Sequence, residues 1–120
     1  MKYQGIVELS VREYLGVMDG GDAWKHLRYA VGIKTDDGVF DYKTGEEYCY
    51  ISRTKNGILD ITRDQIEVGK VYAVQTSLGI LNANKKYSKS QLDRYIDNSE
   101  LFTDEYKVQN RGRTKILKKF

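Results

Sequence analysis

The chain has 120 residues, which fits one compact domain and excludes a multidomain machine. Apolar residues make up 40% and charged residues 31%, with one Trp, three Phe and ten Tyr, an aromatic content that excludes a disordered chain. The net charge is +3, but six cations and no acid follow Tyr106, so the rest of the chain is mildly acidic at −3 and its end is basic.

The amino terminus reads as a strand over Tyr3 to Leu9. Ser10 and Glu13 have capping-box spacing, and Val11, Tyr14, Leu15 and Met18 follow at helical intervals, so a short helix ending at Gly20-Gly21 is expected, with a strand as the competing reading. Asp22 is placed to cap a further helical turn holding Trp24 and Leu27. Tyr29, Val31 and Ile33 then alternate as in a strand. Asp37-Gly38, Thr44-Gly45 and Asn56-Gly57 are tight-turn signals, because Asp, Asn and Gly tolerate the backbone conformations that hairpins require. They divide the middle of the chain into Tyr29–Lys34, Val39–Lys43, Tyr48–Arg53 and Ile58–Thr62, an antiparallel meander.

After a loop around Gly69, Val71–Thr76 and Leu78–Leu81 are expected to extend the sheet. Ser88 and Gln91 form a second capping-box pair, and Leu92, Tyr95 and Ile96 give a helix over about 89–97. The last segment, 106–120, reads as a basic hairpin around Asn110-Arg111-Gly112. The expected fold is α+β, a single domain over 1–120: an antiparallel meander of about five to six strands with two or three short helices.

Catalytic residues are not expected. His26 is the single histidine and Cys49 the single cysteine, and a cysteine between Tyr48 and Tyr50 in a strand reads as an inert small hydrophobe. One Cys and one His cannot supply a four-ligand zinc site, and Asp36, Asp37, Asp41, Glu46 and Glu47 fall at turns, so neither a metal nor a cofactor is expected. A lone cysteine excludes an internal disulfide and suits a reducing cytoplasm. No apolar run suggests a signal peptide or a membrane span.

The aromatic pattern is the best lead. Strand alternation puts Phe40, Tyr42, Tyr48 and Tyr50 on one face beside Lys43, Arg53 and Lys55, and leaves Val39, Cys49 and Ile51 for the core. Rings with polar tips and an adjacent Arg are the material of protein-binding hot spots, so Phe40, Tyr42, Tyr48, Tyr50 and Arg53 are the expected partner-binding residues. The competing reading is that the 89–97 helix packs over the rings. In the tail, Lys107, Arg111, Arg113 and Lys115 could supply electrostatic contacts or simply keep the end solvated. Together with the sheet aromatics they leave open a nucleic-acid or nucleotide-binding module. The acidic run from Asp36 to Glu47 opposes phosphate near the same hairpins, so nucleic acid is not the expected partner.

In size and style, proline-free, rich in Lys, Asp and Tyr, and ending Arg-Gly-Arg-Thr-Lys-Ile-Leu-Lys-Lys-Phe, the chain resembles the small early proteins of phages of low-GC, Bacillus-like bacteria. Among these it resembles the phage-encoded anti-defence inhibitors, those of defence-associated sirtuins included. The resemblance implies a non-enzymatic protein in the host cytoplasm that binds a host defence protein, a large NAD-consuming enzyme, and holds it inactive.

Overall fold

A computed structural model describes residues 2–76 and 81–109. Two long strands, β1 (Tyr3–Met18) and β2 (Gly21–Thr35), form a hairpin across the two-residue turn Asp19-Gly20. Both turn residues have positive φ, 50° and 80°, the type I′ geometry that matches the twist of the flanking strands. The helices expected after Ser10 and after Asp22 are therefore strand. The sheet continues with β3 (Gly38–Asp41), β4 (Glu47–Tyr48), β5 (Tyr50–Ile51) and β6 (Val71–Gln75). A 3₁₀ turn at Arg63–Gln65 precedes β6, and α1 (Lys89–Asn98) and α2 (Asp104–Val108) follow it. The fold is α+β, and its six-stranded sheet is mostly antiparallel, β5 and β6 running parallel.

The strand order is β4-β3-β2-β1-β6-β5, and β4 and β5 are separated in the chain by Cys49 alone. One stretch, 47–51, thus lies against β3 with its first half and β6 with its second. The sheet curls until its edges meet there, forming a small barrel, which leaves fewer open edges to pair with another chain. Ile58–Thr62 is not a strand; only an isolated bridge, Arg53 to Leu59, remains of that hairpin.

Paired residues share a face, so register tells inside from outside. Val7 lies opposite Gly32, Leu9 opposite Ala30, and Val11 opposite Ala73. A Cβ on Gly32 would fall 2.7 Å from a Leu9 methyl and 2.8 Å from a Val39 methyl, so this face is the packed interior and Gly32 is where the walls approach most closely. On the other face Ile6, Val31 and Ile33 join one buried cluster with Leu92 and Ile96 of α1, Phe102, and Tyr106 of α2. A second cluster, Tyr14, Ile51, Tyr72 and Val74, is covered by Trp24, Leu59, Ile61 and Ile66.

The α1 cap is as expected: Ser88 Oγ accepts from the Gln91 N–H, and the Gln91 side chain accepts from the Ser88 N–H. Tyr106 and Lys107 belong to α2 rather than to a strand. Thr103 caps that helix, and Asp104 and Glu105 in its first turn favour its positive end. Val108 is the last residue of that helix and Gln109 caps its end; residues 110–120 of the expected terminal hairpin, like most of Leu78–Leu81, lie outside the described residues.

Candidate functional site

The expected four-ring face does not form. Val39 pairs with Tyr48 and Phe40 with Glu47, so Phe40 and Tyr48 lie on opposite faces. The register across the 42–46 turn differs by one residue from the one that would align the rings, and one residue reverses every side chain. Tyr42 is fully buried, its hydroxyl donating to Asp93 Oδ1 at 2.9 Å, so α1 does cover this ring. Tyr48 is also buried; its hydroxyl donates to Asp41 Oδ2 at 2.6 Å and accepts from Arg28 at 3.2 Å. Burial, and then the charge of Asp41, pushes its phenol far above the ordinary tyrosine range.

These contacts belong to a network that closes one end of the barrel. Asp41, wholly buried, accepts from the backbone N–H of Lys43 at 2.6 Å and of Thr44 at 2.9 Å. The Tyr106 hydroxyl of α2 lies 3.2 Å from Asp41 Oδ2 and accepts from the Val31 N–H at 3.0 Å. Lys43, expected beside an open patch, is buried, with Nζ 3.3 Å from Asp93 Oδ1 and donating to the Lys107 carbonyl at 3.2 Å. Burial of this kind demands such partners.

Phe40 and Tyr50 are half-buried against the main core, and the Tyr50 hydroxyl reaches Gln75 Oε1 at 3.4 Å. Arg53 meets the same residue, donating from Nε to the Gln75 carbonyl at 2.5 Å and from Nη1 to the Gly57 carbonyl at 2.7 Å. Of the five predicted binding residues, only Tyr50 and Arg53 are thus brought together. Cys49 is exposed rather than in the core, because its neighbours Tyr48 and Tyr50 take the inward positions. His26 is held elsewhere, with Nδ1 2.8 Å from Ser10 Oγ. Of the basic residues of the tail, Lys107 lies in α2, while Arg111, Arg113 and Lys115 are outside the described residues. Among the described residues, no group of three or more His, Cys, Asp and Glu side chains is arranged to hold a metal ion. None of their helices is long and apolar enough to cross a membrane.

An open apolar surface lies where helix was expected. Pairing of β1 with β6 ends at Glu13–Val71, extended by main-chain bonds from Tyr14 to Gly69 and Lys70. Beyond that point β1 and β2 continue as a two-stranded ribbon. Val17 and Met18 at its tip are 52% and 54% exposed, Leu15 at its root is 36% exposed, and Val68 beside Gly16 is 70% exposed. A register irregularity between Tyr14 and Gly16 turns Leu15 outward. The ribbon is anchored: the Tyr14 and Trp24 ring centroids are 4.9 Å apart, and Trp24 meets Tyr72 edge-on at 6.0 Å. Asp22 at its edge accepts from the Tyr14 hydroxyl and from Arg63 Nε, each at 2.8 Å. These are the residues sequence reasoning missed; the Asp19-Gly20 pair was the signal that could have found them.

Comparison of the chain with protein-family models, with curated proteins and with solved structures gives no match.

Proposed function

We propose that this chain is a non-enzymatic binding protein of the phage anti-defence kind, which holds a host defence enzyme inactive by occupying its surface, and that its target is a sirtuin-domain, NAD-consuming enzyme. The target class rests on the compositional resemblance; the mode of action rests on the ribbon. One observation carries it: an anchored two-stranded arm whose outermost apolar side chains, Val17 and Met18, are more than half exposed. Apolar side chains gathered at a protruding tip are a liability in water, and they commonly mark a surface that another protein covers. A rigid arm also loses little conformational freedom on docking, so more of its burial is available as affinity.

The test is an NAD-consumption assay with the activated sirtuin-domain enzyme. Stoichiometric amounts of this protein are expected to suppress turnover and to co-elute with the enzyme in gel filtration. Undiminished NAD consumption at a severalfold excess, with the two proteins eluting separately, would remove this target class.

A further inference from the structure

Beyond the ribbon, and independent of the inhibitor reading, the outer face of the β1–β2 hairpin carries a set of donors that the fold itself does not use. Ser10 pairs with Tyr29 and Arg12 with His26, so these four side chains share one face of the sheet. Arg12 Nε donates to the buried Ser10 Oγ at 2.9 Å, and that oxygen is 2.8 Å from His26 Nδ1. The His26 and Tyr29 rings are packed with centroids 4.4 Å apart. With Ser10 accepting from Arg12, its own hydrogen is free for Nδ1, and in the tautomer that accepts it His26 Nε2–H is an outward donor. The chain of bonds thus orients a guanidinium and an imidazole by their inner edges and leaves their outer edges open.

Charge sharpens the picture. Among the described residues, Arg12 has no carboxylate within ion-pair distance, although it is half-buried. A half-buried guanidinium with no acid beside it lacks a counter-charge that an oxyanion would supply. The Tyr29 ring on the same face is half-buried, packed on the main core and on His26, and its remaining open part is a surface of the kind on which a base rests.

We propose that Arg12 and His26 bind the phosphate of a nucleoside phosphate whose base rests on Tyr29. The shared chemistry, a phosphate next to a planar base, is found in free nucleotides and in single-stranded nucleic acid.

Trp24, the single tryptophan, lies two residues from His26 on the same strand and reports on the site by fluorescence. The full chain is titrated with adenosine 5′-monophosphate, a short oligothymidylate, adenosine and inorganic phosphate. A saturable change is expected with the first two, and adenosine or phosphate alone should bind roughly tenfold more weakly or worse, since each supplies half the contacts. Tighter binding of the oligothymidylate assigns the site to single strands, and tighter binding of the mononucleotide to free nucleotides; either supports the proposal. Arg12→Gln should weaken binding about tenfold or more, and Arg12→Lys, which keeps the charge but loses the fork, should weaken it less. Lys86→Gln, near Tyr3 at the other end of β1, should not change it. The proposal is overturned by the absence of a saturable signal with both phosphate-bearing probes, or by inorganic phosphate binding as tightly as the mononucleotide. Unchanged affinity in a folded Arg12→Gln protein overturns it too, or in Arg12→Lys should the glutamine variant not fold.

Discussion

The same two strands serve opposite ends of the molecule. At one end, residues 5–11 of β1 and 30–33 of β2 are buried, with the barrel interior on one side and the helix layer on the other. At the other end, Leu15, Val17 and Met18 stand in solvent on a ribbon anchored by three aromatic rings. The first end keeps even its polar groups inside and fully partnered, as the Asp41 network shows; the second leaves apolar groups outside. The difference separates two jobs: one end holds the fold together, and the other can be altered without loosening it.

Substitutions should respect that division. The largest effect is expected for Asp41→Ala, which leaves the Tyr48 and Tyr106 hydroxyls and two backbone N–H groups without their acceptor. A loss of about 3–5 kcal/mol, read by denaturant unfolding, is expected when a buried charged partner is removed. A loss below about 1 kcal/mol would mean that the network does not hold α2 to the barrel. Next is Gly32→Ala, whose Cβ would press on Leu9 and Val39 where the walls are closest. Overpacking of this kind costs about 1–3 kcal/mol, and unchanged stability would show a looser interior.

A smaller, pH-dependent effect belongs to His26, which borders the two regions. Burial, and then the charge of Arg12, lowers its pKa below the ordinary histidine value. The folded protein therefore binds the proton less readily than the unfolded chain. This contribution is complete above about pH 6.5 and is lost as the pH falls from there through the lower folded value. Thermal midpoints of the parent should fall more than those of His26→Gln over that window. Parallel curves would show that the imidazole is not engaged. The smallest stability effect is expected for Val17→Asp with Met18→Asp, within about 0.5 kcal/mol of the parent, since both side chains are already in water.

The parts of the fold legible in the sequence are those set by local chemistry. Ser88 with Gln91 starts α1 where their spacing says, and Val71–Gln75 is a strand after a loop at Gly69, whose φ is +84°. The second half of β1 misled for a physical reason: the irregularity between Tyr14 and Gly16 inserts a residue into the two-residue alternation. That extra residue places Val11, Tyr14, Leu15 and Met18 at intervals of three and four, which imitate a helix face. Ser10 was equally ambiguous, since the hydroxyl suited to capping a helix instead joins Arg12 to His26 across two strands. Tyr48 could not be placed because its face depends on the register with Val39, a long-range choice that neighbouring residues do not encode. Arg12 and His26, which face each other across β1 and β2, are distant in sequence, and no local pattern pairs them.

Inhibition through the ribbon is tested most directly by a double substitution at its tip. The doubly substituted Val17→Asp, Met18→Asp protein should be compared with the parent for inhibition of the sirtuin-domain enzyme's NAD consumption, with thermal unfolding measured on both samples. The expected result is an inhibition constant raised by roughly thirtyfold or more at an unchanged unfolding midpoint, the size of effect that removal of a central apolar anchor produces. Parent and variant inhibiting equally would contradict it.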